Sequence, residues 1–527
     1  MKSSPIWLIV VLLVALGALS WKAVRTGAPV LSDDSYQYLG AARHLLQHGS
    51  LATWVAHFEE QVDTHRLPVP LTHFAPGYPV AIAAVGLLGV PLPVAGLLLC
   101  AVSYLASGWL LWRAALELKL SGWLAASLAV MWLLNSYSLN YSVNVITEPM
   151  FQALTLAMAL LMQVDLNGGG RRPMLLLGIG ATAGAAYLVR YAGLFLLPTA
   201  GLYLLWRGWR DGDCRRWSAG GIFLAGALFV AGALRNAALA GGWRGFRSPG
   251  HMDLASVAVE MGKALYHIIF GAGVVARLDF WLLLFAAGAA AAAAFGWRNL
   301  RRGLPPALLA PTAVQQLAWM GILSGIYCAG IAAAALTTVA NDFPRYCFAL
   351  YPFALLAAGV VLQSTGPKRA PVLAALCLVP VMVVQARTVL LPPMEQSSIT
   401  MRKTMDEQVD PGLSVRAWIA SHAPASEPLF AANGQAVQYA LDRPVVSIRS
   451  PQLSTRICDE EYFRSLMAAF HSRLIVLFPR ASISDSPEQQ VPFLRDVLRG
   501  RLPVWLRIAA QSTDVLVLEC STCAGGG

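Results

Sequence analysis

Ser32-Asp33-Asp34-Ser35-Tyr36-Gln37-Tyr38-Leu39-Gly40-Ala41-Ala42-Arg43-His44-Leu45-Leu46 reads as an amphipathic helix. Tyr38, Ala42, Leu45, Leu46 and Gly49 fall at helical spacing, while Asp33 and Asp34 stand at the start. The stretch follows an apolar run from Pro5 to Trp21 and precedes another at 78–90. A half-polar helix between two such runs belongs along a lipid–water boundary. One reading makes one aspartate the N-cap and the other a complement to the helix dipole. The other makes them a boundary carboxylate pair, usable as a general base.

Composition agrees with a lipid solvent. The chain has 527 residues, 57% hydrophobic and 13% charged, with mean hydropathy +0.57. Soluble domains carry about 25% charged residues, so disorder, a fibre and an ordinary soluble enzyme are excluded. The net charge of +11 is unevenly placed. Residues 1–388 hold 26 Lys/Arg against 14 Asp/Glu, and residues 389–527 hold 13 against 14. A positive excess confined to the apolar part marks membrane orientation, not nucleic-acid binding. Of eight cysteines, Cys100, Cys214, Cys328, Cys347 and Cys377 lie in or beside apolar runs, where a small buried thiol needs no function. Cys520 and Cys523 form one CxxC without the second pair that a zinc site needs. A disulfide there, or one with Cys458, would require an oxidising compartment.

The first apolar run reads as a retained membrane helix. Further candidates are 93–112, 123–137, 149–165, 174–188, 192–206, 218–236, 279–297, 317–339, 346–363 and 371–388, which predicts about eleven crossings. If 78–90 stays at the interface, the segments 113–122, 166–173, 207–217, 298–316 and 364–370 share one side. Those segments hold 13 Lys/Arg, Arg171-Arg172, Arg215-Arg216 and Arg301-Arg302 among them. The opposite short turns hold Arg190 and Arg345 alone; the longer loop 237–278 is an exception, with four basic residues. The positive-inside rule then puts the N-terminus inside and gathers the loop 22–77, Glu148, Arg190, Arg345 and the C-terminal part outside.

From about residue 395 the pattern changes. Helical candidates at 411–422, 459–471 and 487–500 alternate with short β-rich runs at Leu429–Ala432, Val445–Ile448, Leu474–Phe478 and Val515–Leu518. This predicts a small α/β domain over 395–527, behind a mainly α membrane domain over 1–390 whose first external loop, 22–77, carries interfacial helices. No glycine-rich phosphate loop follows any of these strands. Gly178, Gly180 and Gly184 lie inside an apolar helix and read as small-residue helix packing.

The pattern Asp-x-x-x-Tyr, three residues, Ala-Arg-x-Leu-Leu resembles the first external loop of GT-C glycosyltransferases. Anchored on Tyr38 and Arg43, it puts Asp34 on the family's acidic position, with Ser35 where Glu is usual and Asp33 as an extra acid. Four further stretches resemble the family in its order. They are His73-Phe74-Ala75-Pro76-Gly77-Tyr78-Pro79, Thr147-Glu148-Pro149-Met150-Phe151, Leu188-Val189-Arg190-Tyr191-Ala192-Gly193, and Pro344-Arg345-Tyr346 with Tyr351-Pro352. The resemblance covers about residues 1–390 and is closest to the RgtA/B/C/D-like branch. Family-39-like enzymes, the aminoarabinose lipid A transferases and the protein O-mannosyltransferases are related to it.

The resemblance implies an inverting enzyme of the bacterial inner membrane. It would move a sugar from a polyprenyl-phosphate donor to an extracytoplasmic glycolipid, polysaccharide or protein. Asp34, Asp33 and Glu148 would be the catalytic acids. Arg190, Arg345, Tyr346, Tyr38 and Tyr78 would bind substrate. The bland readings stand beside these: outside arginines snorkel to lipid phosphates, an acid suits any helix start, and Tyr36, Tyr38, Trp54 and Tyr78 anchor at the interface. No cofactor is required. A divalent metal at His57, His65 and His73, with Glu59, Glu60 and Asp63, is the weaker alternative, since the spacing fits no short metal motif. Rival functions are a flippase for a lipid-linked sugar and a ligase using a polyprenyl-diphosphate donor.

Overall fold

The computed structural model describes residues 5–57, 64–168, 173–245, 250, 252–271, 311–338, 342–366, 368–390, 401, 403–410, 413–448, 458–479 and 491–523. The chain packs as two compact units: residues 1–29, 96–235 and 251–392 form one, and 30–95, 236–250 and 393–527 the other.

The first unit is helical. Its helices include α1 (Pro5–Thr26), most of α4 (Leu92–Glu117), α5 (Gly122–Leu133), α6 (Ser136–Val143), α7 (Glu148–Gly168), α8 (Met174–Val189), α9 (Leu197–Arg210) and most of α10 (Arg215–Ala240). Among the described residues, six helical stretches are long and apolar enough to cross a membrane: Ile6–Thr26, Leu92–Glu117, Glu148–Gly168, Gly212–Ala240, Thr312–Thr337 and Phe343–Ser364. Large apolar side chains such as Leu13, Phe223 and Leu234 are exposed on them, as lipid-facing positions require.

Other predicted spans come out shorter. The run 123–137 stops at Leu133 because Asn135, fully buried, caps α6 through the backbone N–H groups of Tyr137 and Ser138. The run 192–206 splits into a 3-10 turn, Tyr191–Phe195, and α9. The predicted span 279–297 lies outside the described residues. The run 78–90 forms α3 (Gly77–Gly86), a ten-residue helix in the second unit. At 1.5 Å per residue it extends about 15 Å, half of a bilayer's hydrocarbon core.

Two interactions tie shorter helices, α9 and α8, to the membrane-length helices α7 and α10. At the C-terminal end of α7, buried Asp165 takes Nε of Arg207 and the hydroxyl of Tyr203, each at 2.6 Å. Such a pair lets two charges stay inside an apolar bundle. The glycines of α8 act as the spacing predicts: a Cβ at Gly180 would overlap the Gly221 carbonyl of α10, and one at Gly184 would press on Leu228.

The second unit holds a sheet. Its strands are β1 (Ala52–Thr53), β2 (Val55–His57), β3 (Val69–Pro70), β4 (Gln408–Asp410), β5 (Leu413–Ser414), β6 (Leu429–Ala432), β7 (Val445–Ile448), β8 (Leu474–Leu477), β9 (Leu506–Gln511) and β10 (Leu516–Cys520). Six of them form one sheet in the order β2-β7-β6-β8-β10-β9. The first four are mutually parallel, while β10 runs antiparallel to β8 and β9. The predicted runs at 429–432 and 445–448 are strands with those bounds. β2, from the first loop, and β9 were not predicted. The helices Val415–His422 and Glu460–Ala469 fall within the predicted segments, and Cys520 is disulfide-bonded to Cys523.

The α8–α10 approach is testable. Gly180→Leu should destabilise the purified protein by about 1–3 kcal/mol or abolish folding. Gly201→Leu on α9, where a Cβ meets nothing within 4 Å, should melt like wild type.

Candidate functional site

In the first unit, Thr147-Glu148-Pro149 starts α7, with Pro149 at a position that tolerates its missing N–H. Glu148 is 2% exposed there. Arg190, in extended conformation at the end of α8, donates from Nη1 to Glu148 Oε1 and, at 3.2 Å, to the Thr147 hydroxyl. Arg345, in the short helix Phe343–Cys347, donates from Nε to the same Oε1. The Thr147 hydroxyl lies 3.4 Å from Oε2. One buried carboxylate thus holds two guanidiniums whose side chains are 12% and 22% exposed.

The surrounding groups set the orientation. Arg190 lies 5.3 Å from the centroid of the Tyr346 ring, a cation–π contact. Tyr327 donates to the Tyr346 carbonyl at 3.2 Å. Asp342 caps the short helix through the Arg345 N–H and stands 3.6 Å from Arg345 Nε. With Glu148 and Asp342 opposite two arginines, the formal charges balance. Sequence reading missed Asp342 and also Tyr141, on α6. Burial first, then the carboxylates of Glu148 and Asp342, hold the Tyr141 phenol well above its ordinary pKa, so it remains a donor. The spacing of Tyr137 and Tyr141 was the available signal, since it puts both rings on one helix face.

In the second unit, Asp33 and Asp34 open α2 (Asp33–His48), and both are partly exposed. Neither is the N-cap: Ser32 is, in a reciprocal box with Ser35, whose hydroxyl accepts the Ser32 N–H at 2.9 Å. Tyr38 and Tyr78 are 3% and 0% exposed. Their rings meet edge to face at 5.2 Å, and Tyr38 meets Phe74 at 5.1 Å. The interfacial-anchor expectation for Tyr36, Tyr38 and Tyr78 is therefore corrected: all three are buried, and Tyr38 and Tyr78 pack α2 against α3.

The three candidate metal histidines do not converge. His57 and His73 rings stand 5.6 Å apart, while His65 meets the Phe470 ring at 6.0 Å. Among the described residues no group of three His, Cys, Asp or Glu is placed to hold a metal ion. Glu59, Glu60 and Asp63 lie outside them.

No protein-family model matches the sequence, and no curated protein sequence does. The fold has solved counterparts. ArnT from Cupriavidus metallidurans, bound to undecaprenyl phosphate, aligns at TM-score 0.59 and 14% identity, over 99% of this chain and 100% of that one. The archaeal oligosaccharyltransferase AglB from Archaeoglobus fulgidus, in complex with an inhibitory peptide and a dolichol-phosphate, aligns at 0.52 and 12%, over 90% and 69%. The arabinofuranosyltransferase AftD from Mycobacteria aligns at 0.57 and 15%, over 99% of this chain and 40% of AftD. The chain has the GT-C fold of membrane glycosyltransferases.

Removing the shared carboxylate tests the cluster. Glu148→Ala leaves Arg190 and Arg345 partly buried without it, and should cost about 3 kcal/mol of stability. Thermal unfolding in detergent checks this; an unchanged midpoint would show that the arginines do not depend on Glu148.

Proposed function

We propose that the protein is an inverting membrane glycosyltransferase that moves a sugar from a polyprenyl-phosphate donor to an extracytoplasmic glycolipid, polysaccharide or protein. The observation that carries this reading is the pair of arginines on one buried glutamate, in a fold shared with a protein solved with undecaprenyl phosphate. Each guanidinium is a planar fork suited to phosphate oxygens. Fixed before substrate arrives, the two cations take up the charge that grows on the phosphate as it leaves.

In this mechanism Asp34 accepts the proton of the acceptor hydroxyl while that oxygen attacks the anomeric carbon. The bond from that carbon to the phosphate oxygen breaks, and its electron pair leaves with the carrier phosphate. Attack opposite the leaving group inverts the carbon. Asp33, one residue earlier, is the alternative base. Glu148 has the positioning role, since its oxygens already take Arg190, Arg345 and Thr147. Tyr346 supports Arg190 from below. No cofactor enters any step.

The finer topology belongs to the same proposal. The chain crosses the membrane about eleven times within residues 1–390, and 395–527 lies on the extracytoplasmic side of a bacterial inner membrane. The basic segments on one side and the Cys520–Cys523 disulfide support that sidedness.

Purified protein in liposomes, given polyprenyl-phosphate and polyprenyl-diphosphate sugars with membrane extract, should release free carrier from a monophosphate donor. Asp34→Asn, folded, should lower release by at least about 100-fold, the lower range for a general base. Full activity in Asp34→Asn would remove Asp34 as base. Release from diphosphate donors alone would favour the ligase. Movement of labelled carrier between leaflets without release would favour a flippase.

A further inference from the structure

The second unit contains a cavity of about 400 Å³ lined by Trp54, His65, Glu427, Phe470 and His471 among others. That volume falls within the range of small-ligand sites, about 300–1,000 Å³. The lining joins the first loop to the C-terminal part of the same unit. Trp54 is held by its carbonyl, which accepts the Val445 N–H at 2.8 Å at the start of β7. The Phe470 ring meets His65 edge to face.

Two features show a built site. His471 follows the helix Glu460–Ala469 and closes it: its N–H donates to the Ala468 carbonyl, and the Ser472 N–H to that of Met467. This is the helix ending that favours glycine, because the closing residue is left-handed. Here it is histidine at φ 52°, and His65, which also lines the cavity, has φ 49°. Left-handed backbone costs a side chain roughly 1 kcal/mol or more, so both imidazoles sit where glycine would fold more easily. The second feature is Glu427, 9% exposed, whose Oε1 takes the Arg473 N–H at 3.0 Å and its Nε at 3.2 Å, and whose Oε2 takes Nη2 at 3.0 Å. Those contacts fix the carboxylate's direction and leave it capacity as an acceptor, since two oxygens offer about four lone-pair sites.

The chemistry selects a ligand. An indole face suits a ring of C–H groups, a fixed carboxylate suits hydroxyl donors, and two imidazoles both give and accept hydrogen bonds. Among the described lining residues there is no lysine or arginine, so their chemistry favours a neutral polyhydroxyl ligand. We propose that the cavity is a saccharide-binding subsite that holds a sugar unit of the acceptor. The acceptor assignment rests on the glycosyltransferase reading above.

The test reads binding without any donor. Full-length protein in nanodiscs is examined by saturation-transfer NMR with methyl glycosides of glucose, galactose, mannose, arabinose and N-acetylglucosamine. At least one should bind, and Trp54→Ala should weaken it by about tenfold. His471→Gly relieves the left-handed backbone, so its melting temperature should stay or rise while sugar affinity falls severalfold. In the transfer assay both variants should raise the acceptor KM and leave the donor KM in place. No sugar bound by wild type, or equal binding by both variants, would overturn the subsite. Binding with an unchanged acceptor KM would overturn the acceptor role. Sugar binding here with no carrier release from any donor would uphold the subsite and remove the transferase reading instead.

Discussion

A carboxylate buried among apolar helices must be met by cations or hydrogen-bond donors, and Glu148 is met by two arginines. The cost of leaving such a charge unpaired is several kcal/mol, so the chain elements that carry the arginines are constrained with it. Arg190 comes from the end of α8 and Arg345 from the short helix Phe343–Cys347. Their convergence on one oxygen fixes three helix ends at one place. The two guanidiniums are thus held in place in advance, with Tyr346 against Arg190 and Asp342 against Arg345 setting their orientation.

The same helix is tied at its other end. Asp165, seventeen residues after Glu148 and so about 25 Å along α7, takes Arg207 and Tyr203. A helix pinned by ion pairs at both ends is a rigid support for the residues at its start. In the second unit the comparable device is the sheet. Strand β2 comes from the first loop and lies parallel to β7, so the loop that carries Asp33 and Asp34 shares a sheet with the C-terminal strands.

Some of this was legible in the sequence. Long apolar runs report membrane-length helices directly, and β6 and β7 read as strands because each is a run of four apolar or small residues, all of which the fold buries. Glu148, Arg190 and Arg345 stood out as charges at the ends of apolar runs. Their shared contact did not, because it joins residues 42 and 197 positions apart. Val55–His57 is too short to show alternation, and its partner is Val445–Ser447. Ser32 takes the capping role because Ser35 can answer it, a reciprocity that two adjacent aspartates obscure. Tyr38 and Tyr78 look like interfacial aromatics until each supplies the other's cover. Except at the Ser32–Ser35 box, the missing information is a partner distant in the chain.

The central claim is that the arginine pair on Glu148 receives the carrier phosphate. Native mass spectrometry of protein in nanodiscs doped with undecaprenyl phosphate or undecaprenol tests it most directly. The account predicts that wild type prefers the phosphate, and that Arg190→Ala and Arg345→Ala each lose the preference while still binding undecaprenol. Equal preference for the phosphate in wild type and both variants would contradict it.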